Sequence, residues 1–212
     1  MTAEHLTDRR GANPGANPGA RRSPLSHLVD ELAAGSGSEV TLAELPFRTL
    51  IDVRAQPVAG VRARLSEALG LTLPERAGEA VQHGSRHALW LGPDWWLITD
   101  APDPQPRLES ELAGGVRSAG FGQASAVDVS AHRTTLALAG PHARDVLEHG
   151  CSLDLHPRGF GPGACAQTMV AKAQVILHQT AACHYRLLVR ASFADYLARW
   201  LLDAMAEYVT TR

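Results

Sequence analysis

The sequence predicts an α+β fold: mostly antiparallel sheets with helices packed on one side, arranged as two similar halves. Short runs of apolar and β-branched residues with period-two alternation recur close together, separated by turn residues, as hairpins require. Longer segments place apolar residues three and four apart and are bounded by proline and glycine, as amphipathic helices are. Each half carries both kinds of segment in a similar order, which suggests an ancient duplication, although no residue-level repeat is evident.

Residues 1–24 are expected to be a disordered tail. The tetrapeptide at Gly11 repeats immediately at Gly15 (GANP, GANP), a low-complexity turn former that buries no core. The first half, 25–130, opens near Leu25 and has strand character over 47–53 (FRTLIDV). Helical spacing follows over 57–69 at Val58, Val61, Leu65 and Leu69, and Gly70 stops it. Strands over 86–91 and 95–99 flank Gly92-Pro93-Asp94, the turn residues of a hairpin. Next comes a helix with Asp103 as cap, Pro104 in its first turn, and Leu108, Leu112 and Val116 on its buried stripe. A strand at 126–129 closes this half.

The second half, 131–212, starts with a strand over 134–139 and a helix opened by Gly140-Pro141, striped by Val146 and Leu147 and ended by Gly150. A long connection rich in glycine and proline then carries Cys151, Asp154, His156, Arg158 and Cys165. Irregular connections of that length are uncommon unless they bind something. Strands near 167–170, 174–178 and 183–189 follow. The last helix begins at Ser192, which with Asp195 has capping-box spacing, and is striped by Phe193, Leu197, Trp200, Leu201 and Ala204.

The connection and its flanks carry a resemblance. Gly140-Pro141-x-Ala143-Arg144-x-x-Leu147, then Gly150-Cys151-x-Leu153-Asp154-Leu155-His156-Pro157, then Cys165-Ala166-Gln167-Thr168 resemble the gamma subunit of heterotetrameric sarcosine oxidase. Leu91-Gly92-Pro93-Asp94-x-Trp96-Leu97 upstream, with Tyr185-Arg186-Leu187-Leu188-Val189 and Ser192-Phe193-Ala194-Asp195-Tyr196-Leu197 downstream, match in order and spacing. The resemblance runs from about Ser23 to Tyr208. It implies a glycine-cleavage T-protein-like fold, related to that family's folate-binding domain. It also implies a flavin-dependent complex with alpha, beta and delta subunits that oxidises sarcosine to glycine, forms hydrogen peroxide, and yields formaldehyde or 5,10-methylenetetrahydrofolate. The FAD, FMN, NAD and tetrahydrofolate of such a complex belong to the other subunits, with no cofactor on this chain.

Composition agrees with a protein of this kind. The 212 residues are 45% hydrophobic with a net charge of −2, which gives no reason to expect nucleic acid or an acidic membrane as partner. Arginine outnumbers lysine nineteen to one, a compositional bias. No apolar run approaches the ~20 residues of a membrane span, and the charged amino terminus lacks the hydrophobic stretch of a secretory signal. Three cysteines outside CxxC pairs fit a reduced, cytoplasmic protein.

The candidate chemistry is sparse. His149, Cys151, His156 and Cys165 are zinc-compatible, yet only one pair is close, so the expected metal set is none. Cys151 as a nucleophile with His132 or His156 as base is disfavoured, because a helix carboxyl end raises a thiol pKa. His83 and His87 lose helical chelating geometry where His87 enters a strand. Asp94 reads as a turn residue and Asp128 as a charge partner of His132 and Arg133. No glycine-rich nucleotide motif is present. The T-protein family engages folate with an acidic residue before the hairpin; between Glu79 and Asp94 this chain reads AVQHGSRHALWLGP, without an acid. That departure weighs against the alternative of a free-standing folate-binding one-carbon transferase. No catalytic residue is expected. Alternation sends Trp95 and Trp96 to opposite faces, so one fills the core and the other is free to anchor a partner. The expected subunit interface is Trp95, Trp96, Asp154, Leu155, His156, Arg158 and Phe160.

Overall fold

The computed structural model describes residues 21–102, 105–119 and 123–209. Nearly all of the expected tail, together with the expected helix cap at Asp103-Pro104, lies outside them. In order, the chain forms α1 (Val29–Ala34), β1 (Thr41–Leu45), β2 (Arg48–Ala55), α2 (Val61–Leu69), β3 (Ala80–His83), β4 (Arg86–Gly92), β5 (Trp95–Pro102), α3 (Gln105–Ala119) and β6 (Ala124–Asp128). It continues with β7 (Arg133–Ala139), α4 (Ala143–Glu148), β8 (Cys165–Val170), β9 (Ala173–Ala181), β10 (His184–Arg190) and α5 (Ala194–Met205). Two five-stranded sheets result, ordered β1-β7-β10-β9-β8 and β3-β4-β5-β2-β6, with every strand pair antiparallel.

Period-two alternation splits each sheet into two apolar faces, and this stacks the molecule in four layers. Helices α1, α4 and α5, with Leu28 just before α1, bury Leu28, Leu32, Val146, Leu147, Leu197 and Leu201 against one face of the first sheet, with Leu136, Leu138, Val175 and Leu187 beneath. Helices α2 and α3 bury Val61, Leu65, Leu108 and Leu112 against Ile51, Val53, Trp96 and Ile98 of the second. The opposite faces meet in a seam of Leu50, Leu89, Leu91, Leu97, Cys165, Ile176 and Leu188. A buried leucine or isoleucine contributes roughly 1.5–3 kcal/mol by leaving water, so the outer cores dominate the stability and the thinner seam fixes how the sheets face.

Strands from either side of residue 130 share a sheet. Strand β1 pairs with β7, Leu42 opposite Leu138, and Leu25, Leu28, Leu32 and Val40 enter the core under α5. The opening segment of the expected first half therefore completes the first sheet, whose other four strands follow residue 130, because β7 would otherwise present an unpaired edge. Phe47, in a left-handed turn (φ 58°), carries the chain across to β2.

Two helix starts also differ from expectation. Gly60 adopts φ 82° and delays α2 to Val61, leaving Val58 outside the helix and exposed. The capping box at Ser192 does not form: residues 191–193 make a 3-10 turn and α5 begins at Ala194. The Asp195 carboxylate instead meets His27 Nε2 and Arg199 Nε, each at 3.0 Å, and Phe193 is exposed instead of joining the buried stripe.

Candidate functional site

The connection from Cys151 to Ala164 keeps its irregular course with few repeating hydrogen bonds. Asp154 Oδ1 accepts the His156 N–H at 2.9 Å, and the His156 carbonyl accepts the N–H groups of Gly159 and Phe160. His156 Nδ1 accepts the Arg158 N–H at 3.3 Å. The tight turn so made leaves Asp154, His156 and Arg158 in solvent. It also turns Leu155 and Phe160, 1% and 5% exposed, into the core beneath α4 and α5.

The far end of the connection binds both sheets. Gly163 donates to the Gln179 carbonyl of β9 at 2.8 Å and accepts from Ala80 of β3 at 2.7 Å. Cys165 N–H reaches the Gly78 carbonyl, and Gln167 Nε2 donates to Leu91 of β4 at 2.9 Å. The connection is thus a clasp across the sheet edges, with an exposed polar turn at its tip.

In the hairpin, the two tryptophans separate as alternation requires. Trp96, 1% exposed, lies in the core under α2 and α3 and donates Nε1–H to the Pro74 carbonyl. Trp95 is half-buried at the end of the seam, donates Nε1–H to Asp52 Oδ2 at 2.8 Å, and carries the Arg54 guanidinium 4.3 Å above its ring. Three residues expected at an interface, Trp96, Leu155 and Phe160, therefore have almost no surface in the folded chain. The apolar side chains of a polar, glycine-rich turn went to the nearest core, where burial is worth more than solvent contact.

The cysteines and histidines flanking the connection have separate partners. Cys165 is buried in the seam with Sγ against the Glu79 and Trp90 carbonyls, and burial pushes its thiol up to about 11. Cys151 lies under the end of α4, and His149 meets Glu207 at 3.1 Å. No group of metal ligands forms among the described residues. Asp128 accepts both the N–H (2.8 Å) and the Oγ–H (2.5 Å) of Ser130, and so braces the 3-10 turn at 130–132.

A polar cluster that sequence reasoning missed closes the other end of the seam. His87 of β4 and His178 of β9 meet edge to face with centroids 5.1 Å apart, 1% and 3% exposed. Arg186 of β10 donates Nη1–H to His87 Nε2 at 2.8 Å, which requires that nitrogen to be unprotonated and the imidazole neutral. Burial, then the charges of Arg186 and Arg48, hold His87 down to about 4; burial, then His87 and Arg186, hold His178 down to about 3. Register does carry a signal for this cluster. His87, His178, Arg186 and Arg48 each stand two residues from a seam side chain (Leu89, Ile176, Leu188 and Leu50), so each shares its inward face.

Residues 54–207 match the model of the sarcosine oxidase, gamma subunit family. The sarcosine oxidase subunit gamma of Corynebacterium sp. (strain P-1) is 40% identical over 192 residues, covering 90% of this chain and 92% of that protein. The structure is similar to a chain of the heterotetrameric sarcosine oxidase from Corynebacterium sp. U-96 in complex with pyrrole 2-carboxylate: TM-score 0.82, 38% identity, 91% of this chain and 98% of that one. The glycine cleavage system aminomethyltransferase T from Bartonella henselae shares the fold at TM-score 0.63 and 15% identity, over 84% of this chain and 56% of that one. Together with the antiparallel double sheet, these matches show that the chain belongs to the sarcosine oxidase gamma subunit family.

Proposed function

We propose that this chain is a non-catalytic assembly subunit of a flavin-dependent, heterotetrameric sarcosine oxidase, with alpha, beta and delta subunits as its partners. The complex oxidatively demethylates sarcosine to glycine in the cytoplasm, with hydrogen peroxide and formaldehyde or 5,10-methylenetetrahydrofolate as products. FAD, FMN, NAD and tetrahydrofolate are held by the other subunits. The observation that carries this reading is the identity of about two residues in five with a gamma subunit over nine-tenths of the chain. The burial of the seam groups supports it: His87, His178 and Cys165 are each 3% exposed or less, so none of them is presented at the surface to a substrate.

The contact surface on this reading is the tip of the clasp, Asp154, His156 and Arg158, with half-buried Trp95 as a candidate anchor. The test is co-expression of a tagged chain with two large flavoprotein subunits and a small fourth subunit. A stoichiometric yellow complex that consumes sarcosine is the expected result. A colourless chain recovered alone overturns the proposal.

A further inference from the structure

A cleft of about 420 Å³ opens where the start of the described chain crosses the β1–β2 turn and the turn before β7. Its wall is cationic: Arg21, Arg22 and Arg133 line it, beside Phe47, Ser130, Ala131 and Thr134. Arg190, the cross-strand neighbour of Arg133, adds a fourth guanidinium nearby. On a chain of net charge −2, that is a strong local reversal.

The hydroxyls and acids near the cleft are occupied with one another. Glu44 accepts from Ser23 Oγ and Thr134 Oγ1, each at 2.6 Å, and Asp128 accepts from Ser130 Oγ. Among the described residues no ion pair joins Arg21, Arg22, Arg133 or Arg190 to an acid. Burial and then the charge of Arg190 lower the Arg133 pKa, with Asp52 only partly offsetting them. Arg21 stacks its guanidinium 4.6 Å above the Phe47 ring, which fixes the plane and leaves its N–H donors free at the edge.

Guanidinium forks match oxygen pairs of carboxylate and phosphate, and like charges held together in a concave site are relieved by an anion. The volume lies in the range of small-molecule sites. We propose that this cleft binds a small dianion of phosphate or dicarboxylate type, gripped by Arg21, Arg22 and Arg133.

The test is calorimetric titration of inorganic phosphate into the full-length chain, in the assembly with which it co-purifies, at constant ionic strength balanced with chloride. Wild type is compared with exposed-site Arg22→Gln and with Arg133→Gln, and Arg133→Lys serves as the variant that keeps the charge. The expected result is saturable binding that weakens by about tenfold in each Gln variant, since each removes a charge-assisted contact. Equal phosphate response in wild type and Arg22→Gln overturns the proposal, because the ion then binds elsewhere. Binding to the free chain that vanishes in the assembly also overturns it, and assigns the cleft to acidic side chains of a neighbouring subunit.

Discussion

At Gly140 two backbones come too close for any side chain. Its φ is 125°, and a Cβ there would overlap the Glu39 carbonyl, just where the chain preceding β1 passes the end of β7. Gly140→Ala should therefore cost about 2–4 kcal/mol, combining backbone strain with a displaced strand, and chemical unfolding would read the loss. The clasp residues divide sharply by burial. Phe160→Ala removes an aromatic ring from the core under α4 and α5 and should cost about 3–5 kcal/mol. Arg158→Ala removes an exposed side chain and should leave stability within about 0.5 kcal/mol. If Arg158→Ala with His156→Ala leaves co-purification with the other subunits unchanged, the clasp tip is not the contact surface.

The elements follow from composition to different degrees. Strands β4 and β5 and helices α3 and α5 were legible because their apolar periodicity is long and their turns hold proline, glycine or aspartate. Strands β1 and β3 and helix α1 were not. Each is six residues or fewer, and β1 is a strand only because β7 offers it an edge. The clasp's irregularity was legible from its glycines and prolines, but its tie between β9 and β3 was not. Cysteine chemistry gives a check on this element. Burial raises the Cys165 thiol to about 11, whereas Cys183 sits partly exposed in the β9–β10 turn. A thiolate-directed alkylating reagent at neutral pH should label Cys183 and spare Cys165, as read by peptide mass mapping; rapid labelling of Cys165 would mean that the seam opens.

For the whole molecule the seam histidines give stability a dependence on pH. His87 and His178 titrate at about 4 and about 3 when folded, against 6.5 as ordinary side chains. Between these values the unfolded chain binds more protons than the folded one, so stability rises with pH there. It is lost as pH falls from 6.5 through about 4 for His87 and about 3 for His178, by up to about 1.4 kcal/mol per pH unit for each histidine, and is steady above 6.5 as far as these groups are concerned. The double variant His87→Gln with His178→Gln should flatten that acid limb in urea-unfolding midpoints taken from pH 4 to 7. An unchanged slope would show that other groups carry the acid sensitivity.

The sequence by itself determined the fold class, the order and type of the long elements, and the family. These rest on local apolar period, turn chemistry and motif spacing, all of which are written along the chain. Tertiary structure alone decided that β1 joins the strands of the second half in the first sheet, that Leu155, Phe160 and Trp96 face inward, and that His87 meets His178 and Arg186. Those outcomes depend on which distant surface each segment meets. His87 and Arg186 stand 99 residues apart, and only the packing of one sheet on the other brings a neutral imidazole within 2.8 Å of a guanidinium.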